Sequence, residues 1–374
     1  MLQKKGLKII TGFITALIFI SLLAYANTDV PGGYRSLNMT FETARVLEVL
    51  EDNTVINPDF PETIIGQRLI LIEVLTGEHA GTISEIRNHF YPAFQVDVSE
   101  GSRISIIIRD LEHLPIEILL HNQERSRILI GSVVLFLLAL GIIGGKKGIK
   151  SIIGLIFTLV SILFLLVPLF LKGYAPIPTT VLILALTAIV SLVLLSGWTK
   201  KTAVAVIGCI SGVVFAAILA TTVGHIAGIN GFNLEQTDQL FAVGLDTNLH
   251  IGGLFISGTL IASLGAVMDI SMTIASAAEE LTVSNKKMTT KQLFKSAMNI
   301  GRDAMGTMSS TLILAFVGTG LSMIVVIFGF GSSFAQVINM DFIAVEIIRS
   351  LAGSLGLVVT VPIVSYTASR WMTK

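Results

Sequence analysis

Residues 179–197 read TTVLILALTAIVSLVLLSG and are followed by Trp198-Thr199-Lys200-Lys201. An uncharged run of this length is close to the ~20 residues that an apolar helix needs to cross the hydrocarbon core of a bilayer. The tryptophan and the two lysines behind it are the residue types that gather where a span meets the cytoplasmic interface. Working outward, comparable runs lie at roughly Ile128–Gly144, Ile152–Leu171, Ala203–Gly224, Ile251–Ser271, Thr307–Phe328 and Ile343–Tyr366, with one more at residues 9–26. The chain is 53% hydrophobic and 13% charged, too apolar for a soluble domain. The expected fold is therefore a polytopic α-helical membrane protein of about eight transmembrane helices.

Lysine and arginine placement orients it. Of 25 such residues, 15 lie in segments that would share one side: Lys4, Lys5, Lys8, Lys146, Lys147, Lys150, Lys200, Lys201, Lys286, Lys287, Lys291, Lys295, Arg302, Arg370 and Lys374. The short loops facing the other way hold Lys172 and Arg349. Cytoplasmic loops are enriched in Lys and Arg, so both termini are expected inside. Trp198 and Trp371 fall at the same interface.

Residues 1–26 read as an N-terminal anchor or as a signal peptide, because Ala24-Tyr25-Ala26 also fits a cleavage site. Residues 27–127 should form an extracytoplasmic domain, with 16 acidic residues against eight arginines. That charge argues against nucleic acid, whose phosphates need positive partners. Period-two alternation at 44–49, 68–74, 102–109 and 116–120, separated by Asn57-Pro58, Thr76-Gly77, Gly81-Thr82 and Glu100-Gly101, predicts short strands in a small OB- or SH3-like β-barrel. Its histidines, His79, His89, His113 and His121, have no ligand spacing. In the loop before the run at 251, Asp246 and His250 lie four apart with His225 nearby, a weak metal pattern. No metal and no cofactor is expected, and the lone Cys209 lies in an apolar run.

Residues 128–374 should form a seven-helix membrane domain. Within it, Thr289-Thr290-Lys291-Gln292 resembles a capping box that would open an amphipathic helix near 289–305 along the inner leaflet. Gly208-x3-Gly212 and Ala352-x3-Gly356 predict close helix contacts, and Pro168 and Pro362 predict kinks. Charge inside a membrane is costly and marks functional candidates. The candidates for a substrate or ion pathway are Asp269, near the inner end of its run, Arg302 and Asp303 at the start of the next, and Glu346 with Arg349, an i,i+3 pair at the outer start of the last. Asp269 and Arg302 are close enough in sequence order to pair across adjacent helices. Each of these groups also has a purely structural reading as an ion pair or a topology marker.

At these polar positions the chain resembles the YibE/F-like family of bacterial membrane proteins. The matching stretches are GAVMDISMTIASA (Gly265–Ala277), GRDAMGTMSSTLILAF (Gly301–Phe316) and EIIRSLAGSLGLVVTVPI (Glu346–Ile363). The resemblance implies a multi-pass bacterial cell-membrane protein and no defined activity. Two functions compete. A permease or exporter, driven by an ion gradient, would use the intramembrane charges and kinked spans. A scaffold, receptor or accessory subunit would use the β-domain to bind a partner. The sequence holds no Walker, HExxH or GxSxG motif, so no enzymatic activity is expected. The partners expected are the lipid bilayer and either further copies of the chain or another membrane protein.

Overall fold

The computed structural model describes residues 19–28, 39–109, 116–229, 231–232 and 236–373. It divides into two compact units, Gly32–Ala139 with the sheet and a helical remainder.

The sheet has five antiparallel strands, β1 (Met39–Ile56), β2 (Ile64–Val74), β3 (Ile83–Phe90), β4 (Arg103–Arg109) and β5 (Glu117–Gln123), in the order β3-β2-β1-β4-β5. β1 is long enough to pair with both β2 and β4, and it bends at two register shifts, between Val46 and Glu48 and between Val49 and Glu51. Bulges of this kind curl a sheet. Ala44, Val46, Ile70, Ile72, Val74, Ile86, Ile104, Ile106 and Ile108 point into the resulting core. Gly77, Gly81 and Gly101 hold positive φ of 80°, 86° and 81°, which the turn signals require. β3 was not among the expected strands. Its inward positions are Ile86, Asn88 and Phe90, and the polar Asn88 breaks the apolar alternation. Asn88 is fully buried, and its Nδ2 donates to the Val96 carbonyl at 2.7 Å.

Arg68 on β2 ties β1 to the segment that precedes β4. Its guanidinium donates to Asp52 at 3.1 Å, to Asp97 at 2.7 Å and to the Val98 carbonyl at 2.9 Å, and it lies over the Phe90 ring. The Thr54 hydroxyl, and after it Arg68, hold the Asp52 carboxyl below its usual value.

Residues 19–27 are helical (α1). After the sheet come α2 (Ser126–Ser161), whose residues up to Ala139 belong to the sheet unit, a π-turn at Ile162–Leu166, α3 (Val167–Leu171), α4 (Pro176–Ser196), α5 (Lys200–Ile226), α6 (Thr237–Asp246), α7 (Leu254–Ser284), α8 (Thr290–Thr319), α9 (Leu321–Gly329), α10 (Phe334–Ile338) and α11 (Asp341–Met372). Among the described residues five helical stretches are long and apolar enough to span a membrane, and α8 with α9, bent by 60°, makes a sixth. The first stretch, Ser126–Leu171, would be about 69 Å long as a straight helix, more than twice the ~30 Å hydrocarbon core. It is interrupted at Gly145, whose φ of 52° and ψ of −136° are non-helical. The expected runs Ile128–Gly144 and Ile152–Leu171 meet at that break.

Pro168 leaves the Phe164 carbonyl without an intrahelical donor, and Asn27 Nδ2 supplies one at 2.7 Å. Ala26 is fully buried beside Leu165, Leu166, Phe170 and Ile183, and Lys172 donates to the Tyr25 carbonyl.

α11 is the central helix, packed by α5, α7 and α8. The expected small-residue pairs lie at its contact with α5. A Cβ placed at Gly212 would come within 2.8 Å of Val267 Cγ1, and one at Gly356 within 2.8 Å of the Gly212 carbonyl. At one end of the bundle, Lys201 bridges Glu279 at 2.8 Å, Lys200 donates to the Trp371 carbonyl at 2.9 Å, and the Thr290 and Thr373 hydroxyls meet at 3.0 Å. Lys200 and Lys201 therefore lie at the same end of the bundle as Glu279, Thr290 and Trp371.

Candidate functional site

The five candidate charges occupy three places. α8 is a single 30-residue helix opened by the expected capping box at Thr289 and Gln292. The short helix expected near 289–305 is thus its first half. Nothing between residues 290 and 319 breaks the helix, and its buried side (Leu293, Ala297, Gly301, Leu312, Phe316) continues past that point. α8 runs antiparallel to α7 and α11. Gly301 packs on Ile274 and Val361, while Leu312 and Ser263 both pack against Gly353.

That register separates Asp269 from Arg302. The level of Asp269 on α8 is Gly306, one helical turn from Arg302. Side chains lean toward the N-terminus of their own helix, so those two diverge on antiparallel neighbours. The expected Asp269–Arg302 pair does not form within 4.0 Å, and among the described residues neither has an ion-pair partner. The depth of Asp269 also differs from expectation. Its helix continues through Thr273, Glu279 and Glu280 to Ser284, so Asp269 stands at mid-helix, about 15 Å from Glu279 at 1.5 Å per residue. It is exposed, on a strip of α7 with Gly258, Ala262, Gly265 and Thr273.

Arg302 and Asp303 are exposed on the outer side of α8. Their level on α11 is that of Val359 and Thr360, about 17 Å from Trp371 at 1.5 Å per residue. An ionised side chain at mid-depth costs about 3 kcal/mol on insertion scales, so a lipid-facing position for these residues would be unfavourable.

Glu346 and Arg349 do pair, one turn apart on α11. Their side chains are 19% and 22% exposed, and the Arg349 guanidinium sits 6.0 Å above the Phe316 ring of α8. Glu346 also lines an apolar groove of about 270 Å³ along the seam where α8 bends into α9, with Phe316, Gly320, Ile324, Phe342 and Ser350. Gly320 permits the bend, because a Cβ there would come within 3.1 Å of Phe342. The i,i+3 spacing disclosed the pair in advance. The groove was hidden, since nothing in the run Thr307–Phe328 except Gly318 and Gly320 signals a 60° break.

A second cleft, about 620 Å³, lies at the other loops of this unit, beside Pro176, Phe241, Leu245 and His250. Among the described residues no group of three His, Cys, Asp or Glu side chains is placed to hold a metal ion.

The family model for YibE/F-like proteins matches residues 132–374, and the chain belongs to that family. The match includes all five candidate charges and leaves the β-sheet domain outside it. No curated protein and no solved structure matches the chain.

Proposed function

We propose that this chain is a permease or exporter of the bacterial cell membrane, driven by an ion gradient, with its polar route along the seam between α8–α9 and α11. The observation that carries this reading is Glu346, half-buried and paired with Arg349, lining an apolar groove against a broken span. Broken helices with a charge beside the break are the usual architecture of secondary-transport sites. Glu346 exchanges its arginine partner for a proton or a cation, and the α8–α9 bend opens or closes the groove around that exchange. Asp269, on the exposed small-residue strip of α7, lies off this seam. Arg302 and Asp303 lie on the far side of α8, away from this groove.

In this proposal the chain crosses the membrane eight times. The break at Gly145 divides Ser126–Leu171 into two spans, and the anchor at residues 1–26 is retained. The packing of α1 on α3, with Asn27 closing the Pro168 kink, supports retention. The end carrying Lys200, Lys201 and Arg370 faces the cytoplasm together with both termini, and the β-domain lies outside.

The test is Glu346→Gln in cells and in reconstituted vesicles carrying an entrapped pH dye. The proposal expects loss of proton or cation-coupled flux with membrane abundance near wild type. If every defect scales with lowered abundance, the pair is structural and the permease reading fails.

A scaffold or receptor is the second reading. Val55, Ile56, Phe60 and Tyr91 are 61%, 67%, 65% and 52% exposed near the β1–β2 turn, an apolar tip of the kind partners cover. Replacing Phe60 and Ile56 with serine would then abolish a cellular phenotype that Glu346→Gln leaves intact.

A further inference from the structure

The outer side of α8 carries a pattern that the permease reading does not use. Asn299, Asp303, Gly306, Ser310, Ile313 and Val317 are all exposed, and their spacing alternates four and three residues without a slip. They form one continuous face of the helix, small or polar over its first four positions and apolar at the last two. Nothing in the described chain covers it. A Cβ at Gly306 would meet no atom within 4 Å, whereas at Gly301, on the opposite side of the same helix, it would collide with Val361. Small residues at the middle of such a stripe let two helix backbones approach closely in a membrane.

The charges complete the pattern. Arg302 and Asp303 stand side by side at mid-depth with no ion-pair partner among the described residues. Exposed there to lipid they would be costly, and intramembrane charges are satisfied by one another or by a water-filled space. A two-fold axis along the membrane normal keeps every residue at its own depth and makes the contact self-complementary. Asp303 on the stripe and Arg302 at its margin then meet their opposites on the mate, forming a neutral set of two acids and two bases.

We propose that this stripe of α8 is a homodimer interface, in which α8 pairs with the same helix of a second copy and Arg302 of each copy is matched by Asp303 of the other. The pairing is parallel, as a two-fold axis along the membrane normal requires. It closes over Gly306 and Ser310 and meets the rim of the seam at Ile313 and Val317, which also line the groove. It does not require transport to occur.

The experiment uses the full chain with Cys209→Ala as background. Ser310→Cys, oxidised in native membranes, should yield a disulfide-linked dimer, while Leu182→Cys on α4, 71% exposed, should not. Native mass spectrometry of the wild type released from nanodiscs should give twice the 40.0 kDa of one chain. Arg302→Asp and Asp303→Arg should each abolish the Ser310→Cys cross-link, and the double exchange should restore it. A monomeric wild type with no cross-link at Ser310→Cys overturns the proposal, even if the charge variants do not accumulate. So does rapid labelling of that thiol by a membrane-impermeant maleimide, which would place the stripe on water. Cross-linking equal at Leu182→Cys and Ser310→Cys also overturns it.

Discussion

Two sides of the helical unit use glycine in opposite ways. Along α5 and α11, Gly208, Gly212 and Gly356 are pressed against Val364, Val267, Thr360 and each other, with no room for a methyl group. On α7 and α8, Gly258, Gly265 and Gly306 face nothing within 4 Å. Mid-helix glycine costs about 1 kcal/mol relative to alanine. On the first side, close packing offsets that cost within one chain. On the second, nothing in the described chain does, and the same surfaces carry Asp269, Arg302 and Asp303. The bundle thus has a closed core at α5–α7–α11 and a polar, open side at α7–α8, with the groove at Glu346 on the α8–α9 seam.

The sharpest way to break this comparison is to enlarge the glycines. Gly212→Leu should cost 3 kcal/mol or more, at or beyond the upper end of the ~1–3 kcal/mol typical of overpacking, because Val267, Thr360 and the Gly356 backbone all stand in its way. Gly306→Leu should leave thermal stability of the monomer almost unchanged. Detergent-solubilised melting curves read both, and equal losses would erase the distinction.

How much of this was legible in advance depended on what each residue hides. The apolar runs and the Gly208–Gly212 and Ala352–Gly356 pairs were readable because lipid leaves periodicity and residue size as the main signals. The ends of the spans were not. α7 continues through Glu279 and Glu280 because Lys201 bridges the first of them, so a hydropathy reading stops at Ser271 and places Asp269 too near the interface. Asn88 concealed β3 in a similar way. A polar side chain at an inward position is tolerated because the Val96 carbonyl accepts from it.

That bond gives the next effect in size. Asn88→Ala leaves the Val96 carbonyl buried and unpaired, and should cost about 1–3 kcal/mol, visible as a lowered unfolding transition of the β-domain within the full chain. No change would mean that the sheet core relaxes around the gap. Smaller again is Lys201→Ala. The Glu279 partner is 42% exposed, so screening limits the loss to about 0–1 kcal/mol, against which the Gly212 effect can be scaled.

The smallest effect is acid dependence in the β-domain. Asp52 titrates below its ordinary 3.8, so its bonds to Thr54 and Arg68 contribute stability that is fully present above that pH. The contribution is lost as pH falls through the lowered folded value. Unfolding midpoints between pH 5 and pH 2.5 should fall less steeply in Asp52→Asn than in the wild type. Parallel curves would remove Asp52 from the account.

The most direct test compares a thiol in the closed core with one on the seam. Cys209 is fully buried between α5 and its neighbours, while Ser350 lines the groove beside Glu346. In membrane vesicles treated with a small water-soluble methanethiosulfonate, native Cys209 should stay unmodified, and the thiol of Ser350→Cys, in a Cys209→Ala background, should react. Reaction at Cys209 with none at Ser350→Cys would place the water-accessible route in the core and contradict the seam.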